Sequence, residues 1–538
     1  MNGADAIIKC LEAEDVKYVF GYPGVAICPF YNSILESEIK TVLVRTEQSA
    51  AHMASGLART TGKVGVCAVT SGPGATNLIT GIATAFADSI PLVCITGQVN
   101  SSLLGSDVFQ EADITGAVES FVKYSYLVKN VNDIPRIMKE AFHIASTGRR
   151  GPVLVDIPID IQNATIKSFK YPDDISMRTY KPTVKGNAMQ LKKLISALEK
   201  SKKPLICVGG GVALSNAQDE LLSFVEKHNI PVVSTMMGIG TMATKHPLYF
   251  GMVGNNGRPY ANKAMNECDT LIMVGARVAD RAVNQPDFLT SNKVLIHMDV
   301  DPAEIGKNVG PTIPIVGDAK AIFEDLCKEE VTASFDEWLN ELNEYKNTLV
   351  EKRNPNLSFV DPKVFITTLS EKMDDDGIYV ADVGQNQIWS CAYHIVKKGN
   401  FLTSGGMGTM GYSIPAALGA RLANPNRQVV AVCGDGSFQM SMCELATIRQ
   451  EDADVKIIVF KNNYLGMVRE YQHYTYKDNY SVVDLNDYPN LEKLATAYDI
   501  SYYKVKSNED CESMIDKMLS TKGSCICEVM IDPYDTVK

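Results

Sequence analysis

Several things are missing from this 538-residue chain, and each absence closes off a class of function. No apolar run reaches the roughly 18 residues a helix needs to span a bilayer, so no membrane span is expected. No basic tract offsets the net charge of −11, which argues against nucleic acid as a general partner but leaves room for an anionic small molecule in a local positive field. The 13 cysteines include no CxxC pair; Cys525 and Cys527 lie two apart in a predicted strand, and buried free thiols in a reducing compartment are expected. There is no short-period repeat and no low-complexity tract. The N-terminal stretch MNGADAIIKCLEAEDV is an amphipathic, acid-containing helix unlike a secretory signal or transit peptide, so a cytoplasmic location is expected.

What is present is α/β alternation. Hydrophobic residues at 45% and charged residues at 21% describe an ordinary soluble protein, and the length calls for two to four domains. Strands are predicted at Tyr18–Phe20, Thr41–Val44, Val64–Val69, Leu92–Thr96 and Val153–Ile157, separated by helical stretches. A polar, proline-containing linker at Tyr171–Gly186 precedes strands at Leu205–Val208, Val232–Ser234, Thr270–Val274 and Val294–Asp299. A charged helical stretch, Ala319–Lys352, leads to a second linker near Arg353–Pro362. Three doubly wound, parallel-sheet α/β domains follow from this pattern, at residues 1–165, 187–330 and 363–538.

The third domain carries the most specific motif. Gly434-Asp435-Gly436 breaks the apolar strand Gln428–Cys433, and after 25 residues Asn462-Asn463 ends the strand Val455–Phe460. A single helix is predicted over Ser437–Gln450 between them. In a parallel sheet both strand ends reach the same carboxyl edge, where ligands bind. A carboxylate and an amide oxygen there suit a hard cation such as Mg²⁺ shared with phosphates. The glycines let the backbone approach, and a helix N-terminus offers N–H groups to a diphosphate.

This pattern resembles the diphosphate-binding motif of thiamine-diphosphate enzymes. The rest of the chain is similar to acetolactate synthase catalytic subunits, from YPG (Tyr22–Gly24), RTEQ (Arg45–Gln48) and TSGPGATN (Thr70–Asn77) to GPVLVDIPIDIQ (Gly151–Gln162), SGGMGTMGYSIPAALGA (Ser404–Ala420) and LGMV (Leu465–Val468). The resemblance implies that the domains are pyrimidine-binding, central and diphosphate-binding in that order. It also implies a homodimer or homotetramer with interfacial active sites, and leaves room for a small regulatory subunit.

Residue by residue, the resemblance makes Glu47 the carboxylate that acts on the aminopyrimidine ring; read without it, Glu47 is a helix-capping carboxylate. It assigns the metal to Asp435, Asn463 and the backbone carbonyl of Leu465, with Asn462 structural. Gly434, Gly436, Ser437, Gly384, Gln385, Asn386, Gly466 and Met467 are expected around the cofactor's diphosphate end; Asn386 stands where the family commonly has His. Gly408 is expected to meet the pyrimidine through its backbone, and Met410 to prop the cofactor, although a methionine is more often core filling. Thr70–Asn77 lacks the Lys-Ser/Thr of a P-loop and reads as scaffold.

The central domain resembles an FAD-binding one. Gly209, Gly210, Gly211, Arg277, Asp299 and Asp318 are the expected flavin contacts, any flavin being structural. Departures occur at Asn255-Asn256 and Val278-Ala279, where the family has Met-His and Phe-Asp. Phe109 and Gln110 match the substrate-side pair, against the alternative of a loop anchored by one buried aromatic. Val25 stands where Gly is usual, Tyr471 where Trp favours 2-oxobutyrate, and the sequence ends at Lys538 without the family's capping arm. The reading is a thiamine-diphosphate- and Mg²⁺-dependent acetolactate synthase of branched-chain amino acid biosynthesis. It decarboxylates pyruvate and ligates the hydroxyethyl group to a second 2-oxoacid. The rivals are a 2-oxoacid decarboxylase or related lyase without carboligation, and a catalytically silent homologue.

Overall fold

A computed structural model describes residues 1–283, 289–349 and 355–537. Eighteen strands among these residues form three six-stranded sheets, parallel throughout. The first holds β1 (Tyr18–Tyr22), β2 (Lys40–Leu43), β3 (Gly65–Val69), β4 (Leu92–Gln98), β5 (Tyr124–Leu127) and β6 (Pro152–Pro158). The second holds β7 (Pro204–Val208), β8 (Val232–Ser234), β9 (Tyr249–Met252), β10 (Thr270–Val274), β11 (Val294–Asp299) and β12 (Ile313–Val316). The third holds β13 (Ile378–Ala381), β14 (Asn400–Thr403), β15 (Val429–Gly434), β16 (Lys456–Lys461), β17 (Ser501–Val505) and β18 (Cys525–Met530). Their interiors are fully buried apolar runs, as expected where helices cover both faces of a parallel sheet.

The outer sheets share one topology. The first runs β2-β1-β3-β4-β6-β5 and the third β14-β13-β15-β16-β18-β17, the same order by position in each unit. In each, the order reverses beside the first strand, between β1 and β3 and between β13 and β15. That reversal opens a crevice at the carboxyl edge. The central sheet runs β12-β11-β10-β7-β8-β9, the dinucleotide-binding order, with its reversal between β7 and β10.

One expectation about a helix is corrected. The charged stretch from Ala319 is two helices, Ala319–Leu326 and Asp336–Thr348, and the part of it over residues 350–352 lies outside the described residues. Of the linker expected near Arg353–Pro362, residues 353–354 also lie outside them. The first linker has no helix or strand over 171–186, yet it is fastened: the Tyr180 hydroxyl donates to Thr147 O at 2.7 Å, and Tyr171 donates to Glu14 at 2.7 Å. All 13 cysteines are free thiols.

One apolar core runs through the first and third units together, from Phe20, Met53 and Leu57 to Tyr412, Leu418 and Phe438. Its centre is the crossing of helices Glu47–Thr61 and Ser413–Ala423. A Cβ on Gly56 would lie 1.9 Å from Ala416 O, and one on Gly419 would lie 1.9 Å from Met53 O. The obstacles are backbone atoms, so no rotamer change relieves them. Around the crossing, Arg59 donates to Thr403 O at 2.7 Å and Ser55 lies 3.0 Å from the Tyr412 hydroxyl. Gly419→Ala should force the helices apart and cost about 1–3 kcal/mol. A urea midpoint equal to that of the parent protein would contradict this account of the packing.

Candidate active site

The crevice between β13 and β15 is built from two helix starts. β13 ends at Ala381, and Gly384 precedes the helix Gln385–Tyr393 with φ +132° and ψ −165°, a conformation open only to glycine. β15 ends at Gly434, where the helix Asp435–Ser441 begins. Both helix starts border one cavity, lined by Gly384, Gln385, Asn386, Met410, Gly434, Asp435, Gly436, Ser437, Leu465, Gly466 and Met467 among others. Nine of these eleven were expected at the cofactor, and Asp435 and Leu465 at the metal. Gly466 is required by close packing, since a Cβ there would meet Gln385 Oε1 at 2.0 Å.

Asp435 is nearly buried, at 6% exposure, and its carboxylate organises the strand ends. Asn463 N donates to Oδ2 at 2.6 Å and Asn462 N at 3.2 Å, while Gly436 N donates to Oδ1 at 3.0 Å. Burial pushes its carboxyl up to about 7, against these donors, which pull it down. Asn463 adopts φ +64°, and its buried Oδ1 has no hydrogen-bond partner. A buried amide oxygen left bare beside a carboxylate is the arrangement a hard cation would satisfy. Asn462 is different: its Oδ1 accepts Tyr464 N at 2.9 Å, which makes it a turn-forming residue. The Leu465 carbonyl accepts Arg469 N at 2.9 Å as the first bond of helix Gly466–Tyr476 and keeps one lone pair free.

Three side chains expected near the diphosphate are engaged with the protein instead. Gln385 Nε2 donates to Glu470 at 3.0 Å and to Asp535 O at 2.9 Å. Asn386 Nδ2 donates to Asp382 O at 2.8 Å and Val432 O at 3.3 Å, tying the two strand ends together. Ser437 Oγ turns back on Gly434, 3.1 Å from its N and 3.2 Å from its O.

The glycine-rich loop 404–411 that carries Gly408 and Met410 is clamped from two units, by residues that sequence reading missed. Asp382 accepts Gly411 N at 2.9 Å and Ser413 N at 2.7 Å. Asp88, from the first unit, accepts Gly406 N at 2.7 Å. Both carboxylates are buried, and desolvation raises both carboxyls. The available signal was weak, an acidic residue just past an apolar segment.

Glu47 opens the helix Glu47–Thr61 and does not line this cavity within one chain. Its Oε2 accepts from Asn77 Nδ2 at 3.1 Å, and Oε1 lies 3.5 Å from where a Gly74 Cβ would stand. Gln110, at φ +59°, packs its backbone against Gly72 at the start of the helix Pro73–Ala87. Glu47, Gly72–Gly74, Asn77 and Gln110 therefore share one edge of the first sheet. The alternative of a loop anchored by a buried aromatic is overturned: Phe109 is 87% exposed. Val25 at 76% and Tyr471 at 59% are also exposed, and neither lines the cavity.

A buried relay holds the base of that loop. Gln98 Nε2 donates to Ala112 O at 2.8 Å and to Asp156 Oδ2 at 2.9 Å, while Thr96 Oγ1 donates to Asp156 Oδ1 at 2.7 Å.

In the central unit, Gly209 N donates to Val274 O and Gly211 N to Gly275 O, closing the β7–β10 crevice. A Cβ on Gly210 would touch Met237 at 3.2 Å. Arg277 donates to Ala87 O at 2.9 Å, and Asp318 caps the helix Ala319–Leu326. Asp299 accepts Asp301 N, and burial raises its carboxyl to about 6. These groups are engaged with the protein itself.

Comparison with known proteins fits this architecture. Residues 1–117, 191–326 and 382–529 match family models described as thiamine pyrophosphate enzyme N-terminal TPP binding domain, central domain and C-terminal TPP binding domain. Fold and site thus define a thiamine pyrophosphate enzyme. The chain is 41% identical to a probable acetolactate synthase large subunit of Methanocaldococcus jannaschii, covering 100% of this chain and 93% of that protein. It is 41% identical to the acetolactate synthase large subunit of Haemophilus influenzae, over 100% and 96%, and 40% identical to that of Lactococcus lactis, over 100% and 93%. The chain belongs to the acetolactate synthase large-subunit family. Among the described residues, no helix is long and apolar enough to cross a membrane.

The Asp156 relay makes a pH prediction. Burial pushes Asp156 up to about 7 from 3.8, with Thr96 and Gln98 pulling it down and the Asp113 charge adding to the rise. Between those values the folded protein holds a proton that the unfolded chain has lost. Stability from this group is therefore greatest at low pH and declines as pH rises through about 7. Asp156→Asn should shrink the loss of stability between about pH 5 and pH 8 by about 1–3 kcal/mol. Parallel urea midpoints for variant and parent at both pH values would refute the assignment.

Proposed function

We propose that the chain is a thiamine-diphosphate- and Mg²⁺-dependent acetolactate synthase, which decarboxylates pyruvate and ligates the two-carbon unit to a second 2-oxoacid. The observation that carries the reading is the buried Asp435 carboxylate in a cavity bordered by two helix starts, accepting the N–H of Asn463, whose own buried Oδ1 has no partner. In this reading residues 363–538 hold the diphosphate and its metal, and residues 1–165 meet the aminopyrimidine end.

When bound, thiamine diphosphate supplies a nucleophilic carbon that adds to a 2-oxoacid and takes up the electron pair released with CO₂. The residues do the rest. Asp435 and Asn463 would hold Mg²⁺ through oxygen, the preference of that ion, and backbone N–H groups after Gly384 and Gly434 would face the phosphates. Met410, beside Gly436 and Leu465, walls the cavity. Glu47 Oε1, the carboxylate oxygen that Asn77 leaves free, is the atom at which a proton would be held and moved. Phe109, Gln110, Val25 and Tyr471 would shape the acceptor's pocket and exclude water, which favours ligation over protonation.

A homodimer belongs to this reading. Glu47 stands outside the diphosphate cavity of its own chain, and Phe109 and Val25 are open to solvent there. A second copy would cover them and complete the site. The relatives' designation as large subunits supports a small regulatory partner as well. Any flavin would have no part in the chemistry, and a visible spectrum of the purified protein decides whether one is bound.

The decisive assay incubates purified protein with pyruvate, Mg²⁺ and thiamine diphosphate and measures acetolactate, acetaldehyde and CO₂ together. Acetolactate is expected; CO₂ and acetaldehyde without it would assign a decarboxylase. Glu47→Gln should lower turnover at least about 10²-fold while cofactor binding persists. Asn463→Ala should weaken Mg²⁺-dependent cofactor binding, and full activity in Glu47→Gln would refute the mechanism.

A further inference from the structure

The helix expected over Ser437–Gln450 is interrupted. It consists of Asp435–Ser441, a 3₁₀ turn Met442–Glu444 and Leu445–Gln450, with Ser441 at φ −133° and ψ 11°. The interruption directs Glu444 at the first unit. Glu444 is fully buried, and its Oε1 accepts Arg45 N at 2.9 Å and Thr46 N at 3.1 Å, while Thr447 Oγ1 donates to Oε2 at 2.7 Å. Arg45 and Thr46 are the two residues immediately before Glu47. Thr46 is the N-cap of the helix Glu47–Thr61, and its own side chain makes no cap bond.

We propose that Glu444 is a positioning residue for Glu47. It caps, from the third unit, the helix start from which Glu47 projects. Helix N-termini leave N–H groups unpaired and carry positive partial charge, so a carboxylate is the complementary acceptor. Bonds from N–H to a carboxylate are about twice as strong as neutral ones, and here no water can replace them. With this capping supplied from outside, the Glu47 side chain keeps its free oxygen for the reacting end of the site. Glu444 lies nine residues beyond Asp435, so one short stretch begins at the diphosphate cavity and ends on the backbone that aims Glu47. The inference rests on the reading of Glu47 given above.

Three variants test it. Glu444→Gln keeps an acceptor oxygen at the same reach without the charge; Glu444→Asp keeps the charge but withdraws it by about one bond length of ~1.5 Å; Glu444→Ala removes both. With saturating pyruvate, Mg²⁺ and thiamine diphosphate, kcat should stay within about threefold in Glu444→Gln and fall by about tenfold or more in Glu444→Asp and Glu444→Ala. KM for pyruvate and the affinity for thiamine diphosphate should change little. In the cofactor-free protein, hydrogen exchange at the amides of Arg45 and Thr46 should be as slow in Glu444→Gln as in the parent and faster in Glu444→Ala. Parent-level kcat in Glu444→Ala, or unchanged exchange at those amides, would overturn the proposal. If the alanine variant does not fold, the other two decide: parent-level kcat in Glu444→Asp would mean that the reach of the acceptor does not matter, and would sink it. Full activity in Glu47→Gln would instead defeat the underlying reading of Glu47, so the two failures are distinguishable.

Discussion

The backbone-to-backbone crossing of helices Glu47–Thr61 and Ser413–Ala423 is the contact on which the rest of the molecule depends. Two glycines, Gly56 and Gly419, bring main chain against main chain, and side chains on both sides merge into one apolar core. The two units share this core, while the first unit keeps a second apolar cluster of its own. The N-terminus of one helix carries Glu47, and the other follows directly on the loop of Gly408 and Met410. Because protein interiors are close-packed and deform little, fixing this crossing fixes how those two ends stand to each other. Glu444 and Asp88 add polar registration at the margins of the same contact, each reaching backbone N–H groups across the unit boundary.

The cofactor end owes its form to backbone rather than to side chains. Two parallel strands meet two helix starts at the order reversal of the third sheet, and glycine at Gly384, Gly434, Gly436 and Gly466 keeps the edge open. Side chains that resemble cofactor ligands in the motif, such as Gln385, Asn386 and Ser437, brace the strand ends and loops. An anion with several oxygens is well served by fixed N–H groups, which carry no rotamer entropy and need no deprotonation. On the proposed reading, side-chain oxygens are concentrated where a metal would need them, at Asp435 and Asn463. The central unit contrasts with this. Its strand order is that of dinucleotide binders, yet its crevice is filled by Gly209 and Gly211 lying against Gly275.

How much of this was legible in the sequence follows a physical line. Central strands read clearly because burial on both faces demands continuous apolar runs. The strands missed, β5, β9, β12, β14 and β17, all stand at sheet edges, four or five residues long, where partial exposure breaks the pattern. The Gly-Asp-Gly and Asn-Asn pair read clearly because strand ends and glycines announce themselves locally. Glu444, Asp382 and Asp88 did not, since each acts on backbone 29 to about 400 residues away and no local period reports a long-range polar contact. The break in the helix after Ser441 was hidden for the same reason: its cause is the acceptor needed at Arg45 and Thr46, on another unit.

Substrate choice sits at the opposite limit of legibility. Val25, Phe109 and Tyr471 are side chains that a single chain leaves largely in water, on the first and third units, and none touches the cavity that holds the diphosphate end. On the proposed reading, a second copy of the chain would cover them. Gln110 alone is already fixed, by its packing on Gly72, and the Gln98–Asp156 relay beneath it holds the loop from the sheet side. The loop therefore has a rigid base and an open crown. On that reading, differences in acceptor size would be resolved at the crown, where a methylene in an apolar pocket is worth only about 1–3 kcal/mol. On the same reading, a fold that anchors the cofactor through backbone and leaves selection to a few exposed side chains can change its acceptor without disturbing the core that aligns Glu47.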